Sequence, residues 1–481
     1  MPYGIYTVHQ VSGWEGRELM KDFDVYVCKD GETYRYLINN RNFESYLKVV
    51  KVDAETGNVI PYAGAGFQIY RPDGELVTMT FTYPSPVEID TFYTDEDGCF
   101  VTPERLEYGT GYYLIEVMAP YGYTLDPNPV YFDVTEDNSS EEGGVTVITV
   151  EKTNMAQKGT IEVSKSGEVY FGVNVTGGVD ENGNELPIIY QPVYEVRGLS
   201  GATYSIRAAE DVITPDGTVR YAKGEIVDTI KTGEDGIAVS KELYLGKYEV
   251  EEIEAPYGMV LSGEIHAVEL TYAGQNVEVT ETATSFYNER QRVEITLAKI
   301  LETDKLFGIG TNGEIKNISF GLYAADELVS SSGTSIPADG LIEIITLDEN
   351  GNGYVKTDLP IGSYYVQEIA TDAHYLLNNT KYPVVFGYEG QNTATVELNV
   401  NDGKPIDNYL IYGSVHGKKL DENGEALGGA VIGLFKTTDT DFTVEEALMT
   451  TTSAEDGSFS FENIPYGTYT FTDWPSSSMS A

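Results

Sequence analysis

Leu47-Lys48-Val49-Val50-Lys51 is the stretch that decides the fold. Apolar residues at alternate positions mark a strand with one buried face, because successive side chains of a strand point to opposite sides. Lys51 shares the parity of Leu47 and Val49, so the lysine belongs to the inner face. The same phrase returns as Ile161-x-Val163-x-Lys165, Ile295-x-Leu297-x-Lys299 and Val415-x-Gly417-x-Lys419. Each of these lysines follows an asparagine by 11 positions: Asn40, Asn154, Asn288 and Asn408. A constant short link between long segments of domain size indicates tandem repeats, each opened by Lys and closed by Asn. So short a link leaves little slack between neighbours.

Downstream of each lysine the same grammar recurs. A second strand reads Gly66 to Tyr70, Ala202 to Ile206, Phe320 to Tyr323 and Ile432 to Phe435. An acidic glycine turn follows, for example Asp95-Glu96-Asp97-Gly98 and Asp348-Glu349-Asn350-Gly351. Then comes Tyr112-x-Leu114-x-Glu116, Tyr248-x-Val250-x-Glu252 and Tyr364-x-Val366-x-Glu368, where the glutamate shares the face of the tyrosine. Helical periodicity with caps is almost absent, so the chain reads as all-β.

The series is open at both ends. Tyr3 to Val8 matches the late Tyr strand, and the segment closes at Asn40 with no preceding lysine. Lys419 opens a repeat in which no closing asparagine is found. The expected division is 1–42 (C-terminal part of a repeat), 43–156, 157–290 and 291–409 (complete repeats), and 410–481 (N-terminal part of a repeat).

Composition narrows the function. The 481 residues carry 30 Lys+Arg against 77 Asp+Glu, a net charge of −47. Phosphate recognition needs clustered cations, so nucleic acid is excluded as a partner. The acidity suits solubility and repulsion between modules. Only Cys28 and Cys99 occur, in different repeats, which gives no disulfide framework. No run of 18 apolar residues exists, so no membrane span is expected, and the opening residues do not read as a signal peptide.

The buried polar residues carry the chemistry. Taken singly, a lysine at a strand end faces solvent and an asparagine before a linker sits in a turn. Their joint recurrence with matching parity favours the core. There an amine loses solvation and becomes neutral and nucleophilic, while a carboxyl group favours its protonated form. Such an acid can polarise the Asn carbonyl and relay a proton to departing ammonia. The expected products are amides Lys51–Asn154, Lys165–Asn288 and Lys299–Asn408, with Glu116, Glu252 and Glu368 as the catalytic acids. Asn40 and Lys419 remain without partners.

Three elements together resemble the SpaA/Cna-B class of Gram-positive surface-protein and pilin domains. They are Lys51-x-Asp53-x-x-x-Gly57, the Tyr-x-x-x-Glu-x-x-Ala-Pro-x-Gly-Tyr element ending at Tyr123, and the closing Asn. The resemblance covers nearly the whole chain. It implies tandem transthyretin-like or immunoglobulin-like (prealbumin-like) β-sandwiches, intramolecular isopeptide bonds, and attachment to peptidoglycan by sortase through an anchor not seen in this sequence. The protein is then extracellular and cell-wall associated, a stalk or adhesin segment with no enzymatic activity and no cofactor. A host or matrix protein or glycan is the expected partner, met through insertions such as Phe171 to Pro192 or Gly333 to Leu341.

Departures from the family pattern matter. Gln10 stands at the Glu position of the first partial repeat, and an amide cannot act as the acid. Asp473 replaces the Glu of the last one, with one methylene less reach. Asp372-Ala373-His374-Tyr375 replaces Pro-x-Gly-Tyr in the third full repeat. Neither a wall-sorting motif nor a pilin lysine motif is found, which favours a stalk over a polymerised shaft.

Two alternatives were weighed. A secreted carbohydrate-active enzyme or its accessory region would need paired carboxylates unique to one repeat, whereas the acidic motifs recur in all. A calcium-dependent module would use Asp348 to Asn352 or Asp421 to Gly424, which lack the rest of an EF-hand loop. The histidines His9, His266, His374 and His416 show no metal-ligand spacing, so no metal site is expected.

Overall fold

Alternating sequence becomes alternating burial. In strand Glu44–Asp53 every second residue from Ser45 is buried, and Lys51 lies on that buried side with Leu47 and Val49. The computed structural model describes residues 1–82, 84–179, 181 and 183–474. Ser476 to Ala481, and Asp180 and Asn182 within the Phe171–Pro192 insertion, lie outside the described residues. No α-helix occurs among the described residues; four short 3-10 turns interrupt an all-β chain. Tandem prealbumin-like sandwiches make up most of it.

The chain divides into two compact units, Met1–Lys165 with Ser200–Glu254 and Gly263–Phe286, and Ser166–Leu199 with Ala255–Ser262 and Tyr287–Ala481. In the first unit, one sandwich pairs two sheets. One sheet orders Val130–Val134, Gly109–Met118, Gly66–Tyr70 and Phe92–Tyr93. The other orders Ser140–Glu142, Val145–Asn154, Glu44–Asp53 and Cys99–Val101. Between them Leu47, Val49, Phe67, Ile69, Phe100 and Leu114 form one buried core. The first and last long strands run parallel, with Lys51 opposite Lys152 and Asn154 opposite Asp53.

The third sandwich, in the second unit, repeats this plan. Leu341–Thr346, Ser319–Ala324, Gly362–Ala370 and Tyr382–Phe386 face a sheet centred on Arg292–Leu301. Its closing strand is broken. Thr395–Asn399 pairs with Arg292–Thr296, a turn with Asn401 and Asp402 at positive φ follows, and Ile406–Asn408 resumes the parallel pairing at Lys299–Leu301.

Two expectations need correction. The strands that bear Lys51, Lys165 and Lys299 do not stop at the lysine, whereas Tyr412–Lys418 ends just before Lys419. The strand of Lys165 runs from Lys158 to Val179 and pairs with Glu185–Gly198 as a long ribbon. Nor is the whole of the Phe171–Pro192 insertion open, although Val175, Val179, Leu186 and Ile188 stay exposed. Tyr170, Val173 and Tyr190 pack on the third sandwich's core, and Ser331 and Ser332 donate backbone N–H bonds to Tyr170 O and Phe171 O. The base of the ribbon thus packs on the third sandwich, because alternating apolar residues gain more by packing than by remaining in water.

Two joints between repeats use one device. Gln157 donates to Gly274 O (3.0 Å) and Val277 O (2.5 Å) and accepts from Ala273 N (2.9 Å). In the other unit, Gln291 donates to Gly390 O (3.2 Å) and Thr393 O (2.7 Å) and accepts from Glu389 N (2.9 Å). Each glutamine stands three residues after a closing asparagine and is buried. Its side-chain amide is satisfied by one loop, which fixes the chain just after the closing asparagine.

Candidate functional site: three buried lysine, glutamate and asparagine clusters

Strand register brings the candidate residues together. In the first sandwich Glu116 lies opposite Phe67 on the neighbouring strand, and Lys51 and Asn154 occupy the two parallel central strands. Lys51, Glu116 and Asn154 are 0%, 1% and 2% exposed. Lys51 Nζ is 2.9 Å from Glu116 Oε1, and Asn154 Nδ2 donates to Glu116 Oε2 at 2.7 Å and to Thr124 O at 2.5 Å. The lysine–glutamate contact is close but poorly aligned. Lys51 Nζ, Glu116 Oε1 and Asn154 Oδ1 are all buried without a directed hydrogen bond. Three such atoms in one place are costly.

In the third sandwich the geometry is different. Lys299 Nζ donates to Asn408 Oδ1 at 2.5 Å and lies 3.8 Å from Glu368 Oε2. Asn408 Nδ2 donates to Glu368 Oε1 (2.7 Å) and Thr371 Oγ1 (2.8 Å). In the second, Lys165 Nζ lies 3.0 Å from Glu252 Oε1, both side chains fully buried. Asn288 is buried as well, at the end of strand Val279–Asn288.

Burial sets the electrostatics. Loss of solvent pushes Lys51 and Lys299 down to about 8, against the opposing pull of Glu116 and Glu368. Lys165 is lowered for the same reason. The amines are therefore brought towards a neutral form near physiological pH.

The open ends keep the same placement. Asn40 Nδ2 donates to Gln10 Oε1 at 3.0 Å, so Gln10 occupies the acid's position. Lys419 Nζ lies 2.8 Å from Asp473 Oδ2, half-exposed. The turns weighed for calcium use their carboxylates otherwise. Asp348 Oδ1 accepts from Asn350 N and Asn352 N, and Asp421 Oδ1 from Asn423 N and Glu425 N. Asp53 likewise closes its turn on Glu55 N and Thr56 N, and its other oxygen accepts from Tyr123 OH (3.0 Å). Cys28 and Cys99 are both free.

The sequence reading missed one member of each cluster. The residue opposite the glutamate is aromatic in all three, Phe67, Tyr204 and Phe320, and its ring lies under the lysine at 5.7 to 5.9 Å. The signal was present as an aromatic at one place in the second strand; Ile432 stands there in the last repeat. A ring face holds the amine in place without supplying a competing hydrogen-bond acceptor.

A family model described as SpaA, a prealbumin-like fold domain, matches residues 45–149, 194–284, 305–404 and 413–474. The chain belongs to this family. No curated protein matches it. Among solved structures, the Bacillus anthracis TIE protein is 15% identical, with 90% of this chain and 69% of that one covered and a TM-score of 0.46. BcpA, the major pilin subunit of Bacillus cereus, is 16% identical, covering 76% and 100%, with a TM-score of 0.28. GBS52, the minor pilin of the Gram-positive pathogen Streptococcus agalactiae, is 16% identical, covering 51% and 96%, with a TM-score of 0.17. No helix among the described residues is long and apolar enough to cross a membrane.

Proposed function

We propose that this chain is a structural stalk or adhesin segment of an extracellular, cell-wall-associated protein, divided after residues 42, 156, 290 and 409. Its complete repeats are cross-linked by Lys51–Asn154, Lys165–Asn288 and Lys299–Asn408 isopeptide bonds that form without another enzyme. The observation that carries this reading is the third site, where a fully buried amine sits 2.5 Å from the asparagine oxygen while the glutamate holds the amide nitrogen at 2.7 Å. The neutral amine attacks Cγ, the Nζ–Cγ bond forms, and the Cγ–Nδ2 bond breaks. The glutamate passes the proton lost by Nζ to Nδ2, which leaves as ammonia. Fixed burial of all three groups supplies the effective molarity that an inert amide requires.

Such a bond joins the first and last strands of a sandwich, through which a tandem array is pulled. It closes a loop of roughly 100 residues, worth about 4–5 kcal/mol by analogy with a disulfide. Intact mass tests the reading. Each bond leaves the chain lighter by one ammonia, so a chain with all three bonds has lost three. A mass equal to the unmodified sequence rejects the proposal. A partner, whether host or matrix protein or glycan, is to be sought on surfaces outside the packed part of the ribbon.

A further inference from the structure

The first site contains a second buried lysine that the reaction does not consume. Lys152 is 2% exposed and is the direct register partner of Lys51 in the parallel pair. Residues on one rung of neighbouring strands point to the same side of the sheet, with backbones about 4.8 Å apart. Lys152 also shares the face of Asn154, two residues on. Its Nζ donates to Asp126 Oδ2 at 2.7 Å and to Asn128 O at 2.8 Å. The backbone N–H of Asp126 in turn donates to Glu116 Oε2 at 3.1 Å. In the third repeat the same rung is apolar: Lys299 pairs with Ile406. In the second, the residue two before the closing asparagine is Phe286, whose ring lies 5.8 Å from Lys165 Nζ.

A charged side chain in a core position must be compensated, and here one carboxylate and one carbonyl do so. What remains is an ammonium held beside a second amine in a low-dielectric space. Like charge disfavours protonation of its neighbour. We propose that Lys152 is a positioning residue of the first site: anchored by Asp126 and Asn128, it sets a fixed positive charge on the rung of Lys51 that adds to burial in favouring attack by the Lys51 amine on Asn154. The groups facing Lys51 are Glu116 from the Tyr strand, Lys152 from the closing strand, Asp126 from the loop after the Tyr strand, and the Phe67 ring. Glu116 and Asp126 oppose the effect and Lys152 promotes it. The inference rests on the isopeptide reading of the site.

The test is cell-free synthesis of the whole chain across a pH series through neutrality, with timed quenching, digestion and mass-spectrometric counting of each cross-linked peptide. Lys152→Met should move the midpoint for the Lys51–Asn154 bond up by about half a pH unit and slow its formation roughly threefold below that midpoint. Lys152→Arg should keep the wild-type profile. Asp126→Asn should move the midpoint down, a direction that mere structural damage does not produce. It also keeps the proposal testable if Lys152→Met fails to fold. The Lys299–Asn408 bond in the same molecules should be unaffected. Unchanged profiles in both Lys152→Met and Asp126→Asn overturn the proposal while the bond itself stands. Absence of the bond from the wild-type chain overturns the isopeptide reading instead.

Discussion

The first and third sites hold the same three residues in the same strands, yet their amines rest against different partners. Lys51 lies 2.9 Å from its glutamate and makes no directed bond to Asn154, whereas Lys299 lies 2.5 Å from the asparagine oxygen and 3.8 Å from its glutamate. The difference lies in the closing strand. In the third repeat it is broken by the turn at Val400–Gly403 and returns for only three residues, with an apolar neighbour on the lysine's rung. In the first it is one continuous strand of ten residues, with Lys152 on that rung. Register therefore determines which groups meet, and the course of the closing strand determines which of them the amine rests against.

Removing the acids should give the largest effects and separate the sites. Glu116→Ala and Glu368→Ala should each restore one ammonia to the intact mass. Each should also lose the cross-link, about 4–5 kcal/mol, and leave a buried lysine amine without its carboxylate, about 1–3 kcal/mol. The first repeat should suffer more, because Glu116 is the nearest partner of Lys51, whereas Lys299 keeps the Asn408 oxygen. Urea titration followed by proteolysis of each repeat reads the order, and equal losses would break the comparison.

Asparagine variants sharpen it. Asn154→Ala leaves Lys51 beside Glu116 and should cost about the cross-link alone, again about 4–5 kcal/mol. Asn408→Ala also deprives Lys299 of its nearest partner, so the third repeat should lose more. This is the reverse of the order expected for the glutamate variants, and the same urea titration reads it.

The pH dependence follows from the depressed lysines. Both Lys51 and Lys299 lie near 8 in the fold, below the ordinary lysine value. Bond formation should therefore rise as pH increases through about 8 and level off above it, read from timed cross-linked peptides. In Asn154→Ala or Asn408→Ala, which cannot cross-link, stability should rise from about pH 8 towards the ordinary lysine range. Over that interval the unfolded chain binds the proton that the folded one has released.

The smallest effect should be at the joints and should not distinguish the repeats. Gln157→Ala and Gln291→Ala each remove the partner of a part-buried N–H and two carbonyls, about 1 kcal/mol. Faster hydrogen exchange at the Ala273 and Glu389 amides, with the cross-links intact, is the expected readout.

Much of the candidate site was legible because strand parity is local. Period-2 alternation placed Lys51, Glu116 and Asn154 on inner faces, and their recurrence pointed to one cluster. Gln10 and Asp473 at the acid position were legible for the same reason. The aromatic ring under each lysine was visible but had no stated role until the register set Phe67 opposite Glu116. Lys152 was not legible as a site residue: on parity it is a core position, but a lone lysine gives no sign of which rung it shares. The glutamines three residues after Asn154 and Asn288 were overlooked because their loops lie more than 95 residues downstream.

By itself the sequence determined the all-β class, the repeat, and the inward direction of the reactive side chains, since alternation and spacing are properties of neighbours along the chain. Only the tertiary structure decided that Tyr170, Val173 and Tyr190 pack on a sandwich, that Lys152 shares the rung of Lys51, and that Lys299 meets the asparagine oxygen. Those are relations between strands far apart in sequence. They are fixed by register and packing, for which a single strand's pattern holds no information.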